Sequence, residues 1–310
     1  MRKEVFFAIV AGGAFGLLIA FAAWKLNSSA KPKLDTETLQ TSASPTPIAN
    51  TSTGDFKIIL SKPNSMAVFT DTPSEISGVT DPKSWVVVSG IDGDTIVKAS
   101  DSGSFSANID LEGGANQINV TAFNSNWNEA DANLLLIFSS QFQKDETSST
   151  EPISYLGTIT DITDSIIQIK NSDGDIQQIS AGKDAVFIDT RSNASKVIKS
   201  TDVAIGDYLI AMGYKGNNNI LNSSRIIISD AITKPTRKII YGTVTDDSGY
   251  NKFEMKNDKT KETVTITPAT GIAVNGDEVS FGNIKNNEKV IVIGEEKDGN
   301  ISARTIQVMK

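Results

Sequence analysis

Few residues in this chain could do covalent chemistry. Among 310 residues there is no His and no Cys. Their absence removes thiol nucleophiles, disulfides, Ser-His-Asp catalysis and nearly all structural zinc. Carboxylates, lysines and aromatics remain. Asp92-Gly93-Asp94 and Asp173-Gly174-Asp175 look like pieces of a calcium loop. A calcium loop needs several spaced acids and a closing Glu, which neither piece has. Asp-Gly is also the commonest hairpin signal, so both read as turns. The 37 acidic residues guarantee that some carboxylates lie close together, yet none stands out as a glycosidase pair. The expectation is a chain that is not an enzyme and holds no cofactor and no metal.

Aromatics are the better binding candidates. Trp127 sits in a polar loop, Asn124-Ser125-Asn126-Trp127-Asn128. Either the ring is exposed, to stack on a sugar or anchor a partner, or it folds back over the end of its own domain. Trp85 opens an apolar strand and reads as core. Lys215, Arg225, Lys234, Arg237 and Lys238 could mark an oligonucleotide surface, but aromatics are not interleaved with them. The chain carries 29 basic and 37 acidic side chains, a net charge of −8 that repels phosphates. No nucleic-acid partner is expected. An envelope glycan or another surface protein is.

The elements that position these residues begin with an oily segment. Residues 5–24 form an uncharged apolar run, which as a helix rising about 1.5 Å per residue spans the hydrocarbon core. Residues 1–26 therefore read as a cytoplasmic start and a transmembrane anchor, with the membrane as partner. Lysines flank both ends, so charge alone does not set the orientation. Ala20-Phe21-Ala22 also fits a signal-peptide cleavage site, but the run is long for that reading and the uncleaved anchor is favoured. Residues 27–54 are rich in Ser, Thr and Pro with no apolar period, and read as a disordered linker. Such a linker and Cys-free β-domains place the C-terminal part outside the cell membrane, anchored by a single pass, or secreted if the helix is cleaved.

Residues 55–139 show seven or eight short strands separated by turn signals. Phe105, Ala107, Ile109 and Leu111 alternate with polar residues, as do Ile118, Val120 and Ala122, so each set lines one buried face. That pattern predicts a two-sheet sandwich. The stretch 101–123 carries Asp101, Gly103, Phe105, Leu111, Glu112, Gly114, Asn116, Ile118, Val120 and Ala122, and Ser77-Gly78-Val79-Thr80 lies upstream. In these residues it resembles the bacterial immunoglobulin-like module known as domain B of glucodextranase. The resemblance implies an Ig-like β-sandwich and an accessory, non-catalytic spacer or binding domain, with no catalytic set to carry over.

Two later segments repeat one another. Tyr155-Leu156-Gly157-Thr158 matches Ile240-Tyr241-Gly242-Thr243 at an offset of 85, and the strand 207–213 matches 288–294 at 81. Each copy ends on an Arg-led strand, at Arg225 and Arg304, an offset of 79. This is a tandem duplication of a domain of about 75 residues. Each copy has five or six strands and an insertion with room for one helical turn, at 200–206 and 280–287. Small OB-like barrels are expected at 153–230 and 240–310, joined by linkers at 140–152 and 231–239. Gly157 and Gly242 fit sharply bent strands. The copies resemble small barrel domains of unknown function in exported bacterial proteins, through the Gly-Thr opening and the Gly206-Asp207 strand start. The second copy departs there, with Asn287-Glu288. Ile210→Asp is expected to unfold the first barrel. The fold class is thus all-β, with one N-terminal transmembrane helix, one Ig-like sandwich and two tandem barrels.

Overall fold

A computed structural model describes residues 51–52 and 56–309, apart from 193, 217, 234–235, 248–250, 258–259, 275–276 and 298. The expected anchor and most of the linker lie outside the described residues. Among the described residues no helix is long and apolar enough to cross a membrane.

The first domain is built from β1 (Thr51–Ser52), β2 (Ile59–Lys62), β3 (Val68–Phe69), β4 (Ser74–Val79), β5 (Trp85–Ser89), β6 (Asp94–Lys98), β7 (Ser104–Ile109), β8 (Gly114–Phe123) and β9 (Glu129–Phe138). One sheet runs β2-β4-β7. The other runs β1-β9-β8-β5-β6, with β3 beside β9 in parallel. β1 lies within the segment read as linker, and its two residues pair with Asp131 and Ala130. Period-two alternation puts Phe105, Ala107 and Ile109 against Ile118, Val120 and Ala122 in the core between the sheets. The Phe, Ile and Val side chains of this set contribute about 1.5–3 kcal/mol each when fully buried, the alanine methyls less.

The larger sheet is buried on both faces. Val86 and Val88 join the sandwich core, while Val87 between them points the other way and is equally buried. Leu134 and Leu136 face inward, and Ile137 outward into a further apolar cluster. Uninterrupted apolar runs are what a sheet covered on both sides requires.

Its outer face is covered by two barrels. The first comprises β10 (Ile153–Thr163), β11 (Ile166–Lys170), β12 (Ile176–Asp189), β13 (Lys196–Ile198), β14 (Tyr208–Lys215) and β15 (Leu221–Ser229). The second comprises β16 (Arg237–Asp246), β17 (Lys252–Lys256), β18 (Lys261–Thr265), β19 (Gly271–Val274), β20 (Asp277–Glu278), β21 (Lys289–Lys297) and β22 (Asn300–Met309). Each closes as a five-stranded ring, β10-β11-β12-β15-β14 and β16-β17-β18-β22-β21, with a single parallel contact, β12 to β15 or β18 to β22. β12 runs unbroken past an irregularity between Ala181 and Val186. Its counterpart is split into β18 and β19 by a segment holding Pro268, which cannot donate to a ladder. The insertions are single 3-10 turns, Ser200–Asp202 and Phe281–Asn283. A Cβ on Gly157 would lie 2.3 Å from the Lys170 carbonyl oxygen, and one on Gly242 would lie 2.7 Å from that of Lys256. Both glycines let the opening strand bend onto its neighbour.

The repeat extends to docking. Leu156, Ile210 and Met212 of the first barrel pack on Val68 and Ile137 of the sandwich. Their counterparts Tyr241, Ile291 and Ile293 pack on Val87 and Phe123. The same barrel face is therefore used twice, on two patches of one sheet. Contrary to the expectation behind Ile210→Asp, Ile210 therefore does not belong to the barrel interior. Leu209 and Ala211 do, and Ile210 points into the seam with the sandwich. The segment 140–152 is also part of this seam. Phe142 is buried in it, the Asp145 N–H donates to Tyr214 Oη at 2.7 Å, and the Pro152 carbonyl accepts from the Val68 N–H at 3.2 Å.

The Arg-led alignment slips by one residue. Ile226 pairs with Ala211, and Ile306 pairs with Val292. Ala211 and Val292 are equivalent, so Ile226 matches Ile306 and Arg304 falls opposite Ser224 rather than Arg225.

Candidate functional site

Trp127 lies in the loop between β8 and β9. Asn124 organises that loop. Its Oδ1 accepts from the N–H groups of Asn126 and Asn128, both at 3.0 Å, and its carbonyl accepts from the Trp127 N–H at 2.9 Å. This side-chain-closed turn holds Trp127 at φ 60°, an uncommon conformation for a bulky residue. The indole is half-buried. It stacks on Tyr241 of the second barrel, with ring centroids 5.0 Å apart and planes 17° apart. Phe123 tilts onto the same tyrosine at 5.2 Å. Lys289 Nζ stands 4.9 Å from the indole centroid, within cation–π reach. The ring is thus neither free in solvent nor folded onto the sandwich alone, because a different domain supplies its stacking partner.

A cleft of about 220 Å³ opens at this seam. Trp127 and Asn126 line it from the sandwich side. Tyr241, Gly242, Thr243, Lys256, Asn257 and Lys289 line it from the barrel. Lys256 and Lys289 are exposed, and neither has a carboxylate at ion-pair distance among the described residues. The sequence singles out Trp127 but not Tyr241, Lys256 and Lys289, which line the cleft with it. One signal was available: Tyr241 replaces Leu156 at the repeat position that faces the sandwich. A larger groove of about 750 Å³ lies on the first barrel among Ile162, Phe187, Ile198, Lys183 and Lys199.

The other candidates are occupied by structure. Asp92-Gly93-Asp94 turns the hairpin between β5 and β6, as the Asp-Gly signal predicts. The Asp94 carboxylate is fully buried and accepts from Arg304, Thr305 Oγ1 and Ser89 Oγ. Asp173-Gly174-Asp175 turns the hairpin between β11 and β12, with Asn171 Oδ1 accepting from both aspartate N–H groups. Trp85 is half-buried at the sandwich–barrel seam. Arg237 donates to the carbonyls of Gly90 and Ile91, and burial, with Arg304 nearby, pulls its pKa down. Lys238 pairs with Glu262 and Glu296, at 3.1 and 3.4 Å. The Arg225 Nε is buried without a hydrogen-bond partner among the described residues, and burial lowers the pKa of this side chain. Lys215 is exposed, and Lys234 lies outside the described residues.

No family profile matches the chain. No curated protein is significantly similar to it. Among solved structures, one similar chain comes from a 1.5-MDa bacterial ice-binding adhesin studied for host cell surface retention. It has a TM-score of 0.20 and 10% identity, covering 86% of this chain and 98% of that one. Another is a Ca²⁺-stabilised adhesin with which an Antarctic bacterium binds ice. It has a TM-score of 0.19 and 11% identity, covering 84% of this chain and 75% of that one. Likenesses this slight fix neither fold family nor function.

Proposed function

We propose that this chain is a membrane-anchored, non-enzymatic cell-surface protein that acts in adhesion, scaffolding or ligand capture. The observation that carries the reading is the double seam, in which one sheet of the sandwich packs both barrels through buried apolar clusters. Three domains joined this way form a stiff head, suited to holding a binding surface at a fixed angle. The strand order of the sandwich and the resemblance of 101–123 support an immunoglobulin-like module, and the ring order of the barrels supports the OB type. The apolar run at 5–24 would anchor this head through a Ser/Thr-rich linker. Protease treatment of intact cells tests the placement. Loss of the C-terminal part is expected, and its full survival would overturn the reading. A hydrolase screen of the full chain, expected to be blank, tests the non-enzymatic part.

A second reading is an accessory carbohydrate-binding unit of a polysaccharide-processing system. It is favoured by the aromatic cleft at Trp127. A glycan array with the wild type and Trp127→Ala separates the two. Binding that the variant loses supports the glycan reading, and no binding at all favours adhesion or scaffolding.

A further inference from the structure

We infer that the Trp127 cleft takes an anionic sugar residue, a single pyranose ring bearing a carboxylate or a phosphate. This rests on the carbohydrate-binding reading and adds the charge and size of the ligand.

Size comes first. A volume of about 220 Å³ is below the roughly 300–1,000 Å³ of pockets that hold drug-sized molecules, so the cleft suits one ring. Chemistry comes second. The indole of Trp127 and the phenol of Tyr241 offer apolar walls for the C–H faces of a sugar. The Thr243 hydroxyl and the amides of Asn126 and Asn257 also line the space and can bond ring hydroxyls.

Charge decides the class. The chain carries −8 overall, yet among the described residues the ionic side chains lining this cleft are both lysines, and neither is paired with a carboxylate there. Two ammonium groups lining one cleft repel one another, and an anion bound in it relieves that repulsion.

The first barrel supplies an internal comparison. Its equivalents of Thr243, Lys256 and Asn257 are Thr158, Lys170 and Asn171, so of the barrel-side Thr, Lys and Asn lining only Lys289 lacks a counterpart there. Tyr208 stands where Lys289 stands, Leu156 where Tyr241 stands, and among the described residues no tryptophan joins the apolar cluster at that patch. The site is therefore a property of the seam and not of the barrel alone.

Titration of the full chain, followed by indole fluorescence, tests the inference with three probes: galacturonate trisaccharide, galactose 6-phosphate and neutral galactotriose. An acidic probe should bind at least about tenfold tighter than galactotriose, and weaken as salt rises. Which acidic probe binds tells carboxylate from phosphate. Lys256→Gln/Lys289→Gln should remove the acidic preference, while Lys170→Gln should leave it intact. Trp127→Phe, which keeps a ring against Tyr241, should retain part of the affinity that Trp127→Ala loses. Equal binding of galactotriose, lost in Trp127→Ala, would sink the charge assignment and leave the carbohydrate reading standing. No binding of any probe would sink both.

Discussion

Arg304 of the second barrel closes on Asp94 of the sandwich, a carboxylate with no solvent exposure. Its Nε donates to Asp94 Oδ2 at 2.8 Å and a terminal nitrogen donates to Oδ1, while the Ile91, Gly90 and Gly93 carbonyls accept at 2.9, 3.0 and 3.1 Å. The neighbouring residue Thr305 donates to the same carboxylate at 2.7 Å. Adjacent strand residues normally point to opposite faces. The ladder irregularity that skips Arg304 between Ala303 and Thr305 aims both at one group. Removing the arginine leaves a buried charge short of its main partner, which costs about 3–5 kcal/mol. Arg304→Gln should therefore lower the denaturant midpoint strongly, and Asp94→Asn less. In the double variant the losses should fall short of additive by about 0.5–3 kcal/mol. Strict additivity in urea unfolding would contradict the pairing.

The seam with the first barrel predicts different outcomes for two neighbouring residues. Leu209 is buried inside the barrel and Ile210 between barrel and sandwich. Leu209→Asp should melt the barrel. Ile210→Asp should open the seam, at a cost of at least about 3 kcal/mol for an unpaired charge, while the barrel interior stays packed. Limited proteolysis reads the difference. Ile210→Asp should gain cuts in 140–152 and keep a resistant barrel fragment, whereas Leu209→Asp should lose that fragment.

These two residues also show what was legible in the sequence. Strand positions, both Asp-Gly hairpins and the duplication follow from period two, turn chemistry and self-similarity. Inward and outward could not be told apart in Tyr208–Lys215, because the strand is buried on both faces and its alternation disappears. The Arg-led match failed because it aligned residue types: both ladders skip one residue at the same place, Ser224 in the first copy and Arg304 in the second, so Arg225 is the residue after the skip and Arg304 is the skipped one, and a slip of one exchanges the faces. Trp127 could be picked out from its polar loop, but its stacking partner lies 114 positions away. Only the packing of one domain on another brings Tyr241 beneath it.

Acid should reveal a clamp on the first barrel. Arg191 holds Asp189 through Nε and Nη2, at 3.0 and 2.7 Å, and Asp207 through Nη1 at 2.7 Å. These hydrogen bonds, chiefly those from the Arg191 side chain, bring the Asp189 pKa down to about 2 from an ordinary 3.8. A carboxylate depressed in the folded state contributes stability above its unfolded pKa and loses it as pH falls through the folded value. The window is therefore about pH 4 down to about pH 2. Carboxyl NMR should place the Asp189 midpoint near 2 in the wild type and return it toward 3.8 in Arg191→Gln. A wild-type midpoint already near 3.8 would refute the clamp.

The departure of the second copy at Asn287-Glu288 turns out to conserve geometry. Gly206 sits at φ 96° and Asn287 at φ 68°. The Gly206 N–H donates to the Ile159 carbonyl and the Asn287 N–H to the Val244 carbonyl, both at 2.9 Å. Asp207 accepts from the Ala204 N–H at 3.0 Å, and Glu288, one methylene longer, accepts from the Lys285 N–H at 2.9 Å. Asn is the residue that best replaces Gly in the left-handed region. A Cβ on Gly206 would meet nothing within 4 Å, so backbone strain alone sets the cost there. Gly206→Ala and Asn287→Ala should each destabilise by about 1–2 kcal/mol, and Asn287→Gly should be close to neutral. Thermal unfolding measures all three. An Asn287→Gly loss as large as that of Asn287→Ala would mean the asparagine side chain, not its backbone tolerance, holds the turn.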